Sequence, residues 1–476
     1  MGNLFRDGLV SFDWFVLVYF VVLNSGYLLL VGIASLEVAR TMRRLTVAGY
    51  DDIFANPFAP GVSILVPAYN EEAGIVESVH SLLGLRYPEF EVIVIDDGST
   101  DETFARLQVE FDLVPTERVV PELVPTLGRI MSTYVAREGE PLIVVRKENT
   151  GRRSDPLNVG INAASKHLIC MVDADSILDA DALLRVAKPF VDDPEHVIGT
   201  GGVVRAANGV IVERGRVVEA RMPNGWLARI QVMEYLRSFL LGRTGWSRLG
   251  GLLIISGAFG LFRRDTVIEV GGLDLNCIGE DAELVARLHH HLRVARRSYR
   301  IVFVAEPVCW TEVPSTVTDL CRQRRRWSLG LAQVLRTHRK MIGNPHYGRI
   351  GLVVLPYYLI FELLSPIIEV VGVFVVALSF SFGVLNVHFA LLFALVAFGW
   401  GILLSVASLA LEEFSYHRYR RWRDLAIAIA AAILENIGYR QLHAVWRLRG
   451  LADSLSGKEG AWGTMTRTGF ATTFSP

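Results

Sequence analysis

The sequence predicts an α/β domain with a mostly parallel sheet, flanked by helices that cross a membrane. Between residues 61 and 345, short runs rich in β-branched residues alternate with helical stretches, a pattern typical of α/β domains. One long apolar run precedes this region and several follow it, and the mean hydropathy of the chain is positive. At 476 residues the chain exceeds the usual size of one hydrophobic core, so we expect separately buried regions.

The composition argues against two classes of protein. Charged residues make up 20% of the chain and the formal net charge is −1, which is typical neither of a disordered chain nor of a nucleic-acid-binding protein. Cys170, Cys277, Cys309 and Cys321 lie far apart without metal-ligand spacing. They indicate neither a zinc site nor a disulfide framework, and they fit a reduced cytosolic compartment.

The run from Phe12 to about Leu36 is long enough to cross a hydrocarbon core of about 30 Å. A cleaved signal peptide is not expected, because the apolar run is long and continues into the basic segment 40–44. That segment follows the run and only Arg6 precedes it, so the positive-inside rule places the N-terminus outside and the next region in the cytosol.

The C-terminal third returns to the membrane. The run from Leu352 to Val384 is interrupted by two prolines and predicts an interfacial or kinked helix, whereas Phe389–Leu411 is a cleaner span. The basic loop His417–Arg423 agrees with a cytosolic position. The last run, Leu425–Leu434, leaves the topology open: it could cross, dip into the bilayer, or pair with a crossing made by residues 346–364.

These features divide the chain into four parts. We predict an N-terminal transmembrane helix with a basic linker (1–45), a cytosolic domain (46–345), two to four interfacial and transmembrane helices (346–450), and a cytosolic or membrane-surface tail (451–476).

Polar clusters follow three of the predicted strands. Val62–Pro67 is followed by Ala68–Glu72, Glu91–Asp96 by Asp97–Asp101, and Leu168–Val172 by Asp173 and Asp175. Ligands of such sheets bind at the carboxyl ends of the strands, so we expect the clusters to meet in one acidic crevice.

Five segments carry recognisable motifs in a fixed order. They are Val62–Asn70 with Glu71 and Glu72, Val92–Thr103, Met171–Ser176, Glu280-Asp281, and Gln323–Trp327. Together they resemble the membrane-integrated family 2 glycosyltransferases, the processive synthases of cellulose, chitin, hyaluronan and poly-N-acetylglucosamine. Segments Ile230–Tyr235, Ser256–Phe259 and Phe262–Arg264 are most similar to the bacterial poly-N-acetylglucosamine type. The resemblance implies a nucleotide-sugar-binding domain of the GT-A fold in the bacterial inner membrane.

An aspartate pair at a strand end suits a divalent cation that bridges carboxylate and diphosphate. In the resembled family the second aspartate of the pair coordinates Mg²⁺ or Mn²⁺ and the first lies near the ribose. This implies that Asp175 is a metal ligand and Asp173 its helper. The alternative is an acidic turn that caps a helix beginning near Asp179.

The resemblance also implies that Asp97 accepts a hydrogen bond from the nucleobase or ribose, and that Pro67, Tyr69 and Glu71 line the same pocket. Acids near Asp97 would equally be favoured by the dipole of the helix that follows, whether or not a ligand binds.

Arg153 stands where many relatives have lysine. Arginine does not reproduce the geometry of lysine, so a phosphate contact there is left open.

Asp281 is the candidate catalytic base, with Glu280 beside it. An acceptor hydroxyl needs a carboxylate aimed at it, because an alcohol is a poor nucleophile until its proton begins to leave. One carboxylate implies single displacement with inversion, whereas glycosidases use two. The same acids are dipole-favoured in the first turn of the predicted helix Ala282–Leu292, which is compatible with catalysis.

Gln323, Arg326 and Trp327 match the Gln-x-x-Arg-Trp signature associated with membrane-integrated synthases. Trp327 offers a face on which a sugar ring can stack, and Arg326 can pair with the departing diphosphate. The alternative is that the arginines between 322 and 325 form a basic helix face against anionic lipid.

Glu362, Glu369 and Glu435 lie in or near apolar segments, where an ionised side chain costs a few kcal/mol unless it faces water or a partner. They are candidates for a polar translocation path or, alternatively, for interfacial positions.

Taken with the resemblance, the residues predict a processive inverting hexosyltransferase that uses a UDP-sugar and Mg²⁺ or Mn²⁺ to elongate a β-linked polysaccharide. Passage of the product across the membrane is expected. Two alternatives stay open, a non-processive transferase that makes a glycolipid and a catalytically silent subunit that binds nucleotide or polymer. The expected partners are the donor, the acceptor and membrane lipid, without nucleic acid, and an export partner is left open.

Overall fold

The computed structural model describes residues 2–45, 53–54, 56, 59–137, 139–384, 387–416 and 421–457. Most of the predicted basic loop (417–420) and residues 458–476 of the predicted tail lie outside the described residues.

The strands are β1 (Val62–Ala68), β2 (Phe90–Asp96), β3 (Leu113–Thr116), β4 (Ile130–Ala136), β5 (Leu142–Lys147), β6 (Leu168–Val172), β7 (Ser176–Leu178), β8 (Val197–Ala206), β9 (Val210–Glu213), β10 (Arg216–Ala220), β11 (Phe259–Arg263) and β12 (Arg300–Thr311).

The helices are α1 (Gly2–Leu45), α2 (Ile75–Leu83), α3 (Thr103–Glu110), α4 (Ser154–Ala163), α5 (Ala182–Asp192), α6 (Trp226–Leu236), α7 (Thr244–Arg248), α8 (Arg264–Glu269), α9 (Glu280–Val294), α10 (Val317–Thr337), α11 (Leu355–Tyr357), α12 (Ser365–Ser381), α13 (Val387–Ala394), α14 (Trp400–Tyr416), α15 (Trp422–Leu434) and α16 (Arg440–Leu455). Wider helical turns continue some of them at Arg237–Arg243, Ile350–Val354, Tyr358–Leu363, Leu395–Gly399 and Glu435–Tyr439.

Within the described residues the main sheet has ten strands in the order β3-β4-β5-β2-β1-β6-β11-β8-β12-β7. The neighbours β5, β2, β1 and β6 run parallel, while β11 runs antiparallel to both β6 and β8. β9 and β10 form a separate two-stranded sheet. The predicted α/β class is confirmed, with a parallel centre inside a mixed sheet.

The central strands agree with their predicted bounds to within one residue. β1 and β6 are buried almost throughout, as expected for parallel strands that are covered on both faces. In the register of the sheet, Ala68 at the end of β1 lies beside Asp96 at the end of β2. The polar clusters after β1, β2 and β6 therefore meet at one edge of the sheet.

Two glycines set the distance between α9 and α10. Gly279 immediately precedes α9, and Gly330 lies in the middle of α10. A Cβ atom on Gly330 would lie 2.9 Å from the backbone nitrogen and Cα of Gly279, closer than a methyl group can approach. The two backbones are therefore in direct contact, and this contact fixes the start of α9 against α10.

Among the described residues, three helices are long and apolar enough to cross a membrane, namely Phe5–Arg43, Val387–Tyr416 and Trp422–Leu455. A fourth candidate is the pair Ile350–Leu363 and Ser365–Ser381, which is bent by 40°. These bounds agree with the predicted N-terminal span, the predicted kinked helix and the cleaner span after it. The side of the membrane on which each end lies stays a prediction.

Helix α15 packs against the α/β domain. Its Ala428, Ala431 and Ala432 are fully buried in the same hydrophobic core as the sheet, and the helix contacts α6. Small alanine side chains allow this close approach of two helices. The chain then leaves helical geometry at Ile437 and Gly438, before α16 begins.

Helix α16 returns along α10. The hydroxyl of Ser328 on α10 donates to the carbonyl of Arg447 at 2.8 Å, and Gly450 lies so close to the carbonyl of Arg325 that a Cβ would overlap with it. The basic residues that follow the last apolar run therefore pack beside α10. The three alternatives for the last run, a crossing, a dip into the bilayer or a pairing with residues 346–364, stay predictions.

We predict that Gly330→Ala lowers the free energy of unfolding by about 1–3 kcal/mol, because the added methyl group must push the two helix backbones apart. Thermal unfolding of the full chain in detergent measures the change. Gly32→Ala is the matched control, since Gly32 is also helical and a Cβ there meets nothing within 4 Å. Equal effects of the two substitutions would show that the contact with Gly279 does not hold the helices together.

Candidate active site

A cavity of about 970 Å³ lies between the carboxyl ends of the central strands and the apolar helices that are candidates for crossing a membrane. All residues predicted for the site line it, namely Pro67, Tyr69, Glu71, Asp97, Arg153, Asp173, Asp175, Glu280, Asp281, Gln323, Arg326 and Trp327. The structure thus brings residues from β1, β2, β6, α9 and α10 to one space.

Arg153 joins two of the predicted acidic clusters. Its Nη1 donates to Oε1 of Glu280 at 2.5 Å, and its Nε donates to Oδ1 of Asp173 at 3.1 Å, with Nη2 also on that oxygen. Nη2 also donates to the carbonyl of Gly257 at 2.8 Å, and a Cβ on Gly257 would collide with the guanidinium. These contacts give Arg153 two carboxylate partners, and they offer no support for the phosphate contact that was left open.

Glu280 and Asp281 are adjacent in sequence but face different groups. Glu280 is buried against Arg153; burial raises the pKa of its carboxyl, and the guanidinium opposes that effect. Asp281 accepts instead from backbone N–H groups, that of Gly257 at 3.2 Å and that of Ala282 at 2.7 Å. Helix α9 begins at Glu280, so both side chains are fixed by the first turn. Asp281 is thereby held at the cavity wall by two backbone N–H groups.

Asp173 and Asp175 lie between β6 and β7. Asp175 is buried, and the hydroxyl of Thr311 on β12 donates to it at 3.2 Å. The next helix, α5, begins only at Ala182, after the short strand β7. The alternative that this aspartate pair caps a helix near Asp179 is therefore wrong.

The donor set around Asp173 and Asp175 fits a cation that arrives with a diphosphate. In the described part of the chain no three His, Cys, Asp or Glu side chains are grouped so as to hold a metal by themselves. Mg²⁺ in proteins commonly takes one or two carboxylates and completes its shell with phosphate oxygens and water. Two carboxylates on a cavity wall match that requirement.

Asp97 belongs to a buried ionic cluster that the sequence did not reveal. Lys147, the last residue of β5, is completely buried and its Nζ lies 2.5 Å from Oδ1 of Asp97 and 2.8 Å from Oδ2 of Asp155. Asn149 donates to the backbone carbonyl of Asp97 at 2.8 Å. Burial raises the pKa of Asp97 to about 6, and Lys147 opposes this rise. One cation is thus shared by two carboxylates at the wall of the cavity.

The Gln-x-x-Arg-Trp signature faces the cavity from α10. Gln323 is buried, and its Oε1 has no hydrogen-bond partner among the described residues. The side chain of Trp327 lines the cavity, and 47% of the residue is exposed. The guanidinium of Arg324 lies 4.2 Å from the centre of the indole ring and holds it in place. An exposed, fixed aromatic face suits a sugar ring.

Arg324 itself is buried and points into the protein. It is 1% exposed and its Nη2 donates to Oε2 of Glu234 on α6 at 2.7 Å. The hydroxyl of Tyr439 donates to the same carboxylate oxygen at 2.8 Å. For Arg324, the alternative of a basic face against lipid is wrong.

Glu234 and Tyr439 also line the cavity, although the sequence analysis predicted neither as a site residue. Glu234 lies within Ile230–Tyr235, a segment that resembles the synthases, and this was the signal that could have identified it.

The three glutamates of the apolar segments also line the cavity. Glu435 accepts from Arg237 at 2.5 and 2.9 Å. Glu362 accepts from the hydroxyl of Tyr27 at 2.7 Å, and Glu369 accepts from a serine hydroxyl at 2.6 Å. Each has a polar partner, and they continue the polar wall from the strand ends toward the membrane helices, which favours a polar path over interfacial positions.

Residues 60–330 match the family model described as "Glycosyltransferase like family 2". The chain therefore belongs to this family of glycosyltransferases, and the domain has a GT-A-like fold. Among its relatives, the poly-beta-1,6-N-acetyl-D-glucosamine synthase of Staphylococcus aureus (strain COL) is 29% identical over 318 residues, which cover 67% of this chain and 64% of the relative. The synthase of the same name from Staphylococcus epidermidis is 28% identical over 275 residues, or 58% of this chain and 55% of the relative.

The match therefore spans less than two thirds of the length of these relatives. Among solved structures, a mannosyltransferase from Pyrobaculum calidifontis in complex with GDP-Man and Mn²⁺ has a TM-score of 0.55 at 17% identity. The likeness covers 93% of this chain and 100% of that chain. At this identity the likeness shows a shared fold and no shared substrate.

We predict that Arg153→Met destabilises the protein by about 3–5 kcal/mol, because Asp173 and the buried Glu280 lose their shared cation. Arg129→Met is the control, since Arg129 pairs with Glu148 at the surface, where the side chains are 78% and 52% exposed. That change should cost no more than about 1 kcal/mol. Thermal unfolding of both variants measures the difference, and a similar small loss in both would contradict a structural role for Arg153.

Proposed function

We propose that this chain is a processive, inverting hexosyltransferase that transfers a sugar from a UDP-sugar to a growing β-linked polysaccharide. The single observation that carries the proposal is the continuous cavity. Its strand-end wall holds the acidic residues expected to bind a nucleotide sugar, and its other wall is formed by membrane helices with Glu362, Glu369 and Glu435. A site and an exit lined by polar groups suit a polymer that grows and leaves in one direction.

The staphylococcal relatives are named as synthases of a poly-N-acetylglucosamine, so UDP-N-acetylglucosamine is the first donor to test. In our proposal Asp97 accepts a hydrogen bond from the nucleoside, with Pro67, Tyr69 and Glu71 beside it. Asp175, helped by Asp173, holds Mg²⁺ or Mn²⁺, which when bound neutralises the charge of the diphosphate. The mannosyltransferase of similar fold contains Mn²⁺ with its own donor, which is compatible with this assignment.

The transfer step then depends on Asp281. Its carboxylate takes the proton of the acceptor hydroxyl while the hydroxyl oxygen forms a bond to the anomeric carbon of the donor sugar. The bond between that carbon and the diphosphate breaks on the opposite face, so the configuration inverts and UDP leaves with the electron pair. Arg326 is placed to stabilise the leaving diphosphate, and Trp327 to stack on the acceptor sugar. Glu280 acts by holding Arg153 and, with it, the first turn of α9.

Two other functions fit fewer observations. A single transfer to a lipid would use the same site, but it does not need a cavity that continues past Trp327 to Glu362 and Glu369. A silent subunit would not need a base, a nucleotide pocket and an acceptor signature on one cavity. The proposed membrane position is the bacterial inner membrane, with the catalytic domain in the cytosol as the charge pattern predicts.

The full chain in lipid nanodiscs, supplied with each UDP-sugar and Mg²⁺ or Mn²⁺, tests the proposal. We expect UDP release and a ladder of long products with one donor. Asp281→Asn should reduce transfer by about 10²–10⁴-fold, because the base is lost. Asp192→Asn is the control, since Asp192 lies on the surface at the end of α5 and pairs only with Lys188 among the described residues.

Each outcome discriminates between the functions. Addition of one sugar to a lipid would replace processivity with glycolipid synthesis. Absence of turnover with every donor would favour the silent subunit. Full activity of Asp281→Asn would remove Asp281 as the base and leave the family assignment intact.

We also predict that donor affinity falls as pH decreases through about 6. The raised pKa of Asp97 means that its carboxylate becomes neutral near this pH. A neutral Asp97 loses its ion pair with Lys147 and accepts only a weaker hydrogen bond from the nucleoside. Calorimetric binding of UDP-N-acetylglucosamine, whose diphosphate does not titrate between pH 5 and 8, gives the profile. In Asp97→Asn the affinity should be low and independent of pH in this range, and an unchanged pH profile in that variant would contradict the assignment.

A further inference from the structure

Arg243 is a cation in the cavity that the proposed transfer step does not use. It ends the helical segment Arg237–Arg243, and it lines the cavity together with Phe239. Its guanidinium lies 3.6 Å from the centre of the Phe239 ring. The Nη1 atom is buried and has no hydrogen-bond partner among the described residues. A fixed guanidinium with an unused donor therefore lies in the wall of the cavity.

The other arginines named in this cavity differ from Arg243 in their ion pairs, although Nε and Nη1 of Arg324 also lack a hydrogen-bond partner among the described residues. Arg153, Arg237 and Arg324 each form an ion pair with a glutamate, at 2.5 to 2.7 Å. No carboxylate pairs with Arg243 in the part of the chain that the structure describes. Taking a cation out of water without a partner costs free energy, which the fold avoids for the other three. The exception indicates that a ligand supplies the missing acceptor.

The surroundings of Arg243 place that ligand near the proposed base. Burial lowers the pKa of Arg243 to about 10, and the groups that oppose this effect are Tyr358, then Asp281 and Tyr235. Tyr358 belongs to the bent helix pair of the membrane region, and Asp281 is the proposed base. The proposed base and a tyrosine of the bent helix pair are thus both near enough to Arg243 to act on its charge.

Aromatic rings complete this part of the wall. The rings of Tyr235 and Phe239 lie 5.4 Å apart between centres, and Tyr235, Phe239 and Tyr358 all line the cavity. Aromatic faces combined with a planar set of N–H donors suit a sugar, because the ring carbons pack on the aromatic groups while hydroxyl or amide oxygens accept hydrogen bonds.

We propose that Arg243 binds the acceptor sugar, donating from its guanidinium to oxygens of the unit that presents its hydroxyl to Asp281. The inference rests on the proposed function, because it assigns to Arg243 the binding of the acceptor sugar in the proposed transfer site. Arg243 positions the acceptor and makes no contact with the donor nucleotide. Its loss therefore affects acceptor use and leaves the binding of the donor unchanged.

The test is Arg243→Met, which keeps the apolar stem over Phe239 and removes the donors, in the full chain in nanodiscs. With UDP-N-acetylglucosamine and a β-1,6-linked N-acetylglucosamine oligosaccharide as added acceptor, we expect the KM for the oligosaccharide to rise about tenfold to a hundredfold, as for loss of a hydrogen bond from a charged group. The KM for the donor should stay within about twofold. Products should become shorter, because the chain end leaves more often between additions.

Two further variants keep the test decisive. Arg248→Met is the control, because Arg248 is near in the chain, 53% exposed at its side chain, and paired with Glu37 at 3.5 Å. It should leave both KM values unchanged. If Arg243→Met does not fold, Arg243→Lys provides the same measurement with the charge retained and the planar donor set lost.

Calorimetric binding of the oligosaccharide to the wild-type chain and to the variant separates this inference from the proposed function, since binding needs no turnover. Weaker binding in the variant supports the inference even when no donor is used. Equal binding and an unchanged acceptor KM overturn it. A donor KM that rises as much as the acceptor KM also overturns it, because Arg243 would then contact the diphosphate.

Discussion

The guanidinium of Arg153 connects the strand-end aspartates of the site to the helix that carries the proposed base. Arg153 is paired with Asp173, which follows a strand, and with Glu280, which begins a helix more than a hundred residues later. Gly257 accepts from the same guanidinium and donates its N–H to Asp281, so the base is positioned by the same contact. Breaking such a pair leaves charges buried without compensation, whereas the intact pair fixes the geometry of both clusters. The proposed metal ligands and the proposed base therefore move as one unit.

A second set of ion pairs connects this unit to the membrane helices. Arginines of the α/β domain pair with acids on the C-terminal helices, in the pairs Arg205–Glu412, Arg237–Glu435 and Arg325–Asp453. Arg324 and Tyr439 meet on Glu234 in the same way. Because these contacts lie on several helices, the shape of the cavity depends on the domain and the membrane region together. We infer that a soluble fragment of the domain would lose part of its acceptor wall.

The sequence predicted the parallel strands and the residues that meet at their ends, because β-branched runs and strand-end acids leave a local signal. Local patterns could not find Lys147, since a lysine at the end of a strand is ordinarily exposed and only the neighbouring Asp97 and Asp155 explain its burial. The burial of Arg324 and its ion pair with Glu234 could not be predicted either. A run of arginines has the same sequence pattern whether its side chains face lipid or pair with a buried carboxylate. The path of α15 and α16 depended on packing with α6 and α10, which hydropathy does not encode.

The shared lysine has a consequence for what the cavity admits. Asp97 and Asp155 with Lys147 carry one excess negative charge when both acids are ionised, and Asp173 and Glu280 with Arg153 carry another. Two such clusters repel a bare diphosphate, and this repulsion is removed once a divalent cation has neutralised the charge of the diphosphate. The strand-end wall of the cavity would then favour the cation-bound donor over the bare nucleotide. In our proposal, the same two clusters repel nucleotide product that has lost its cation, which frees the site for the next donor.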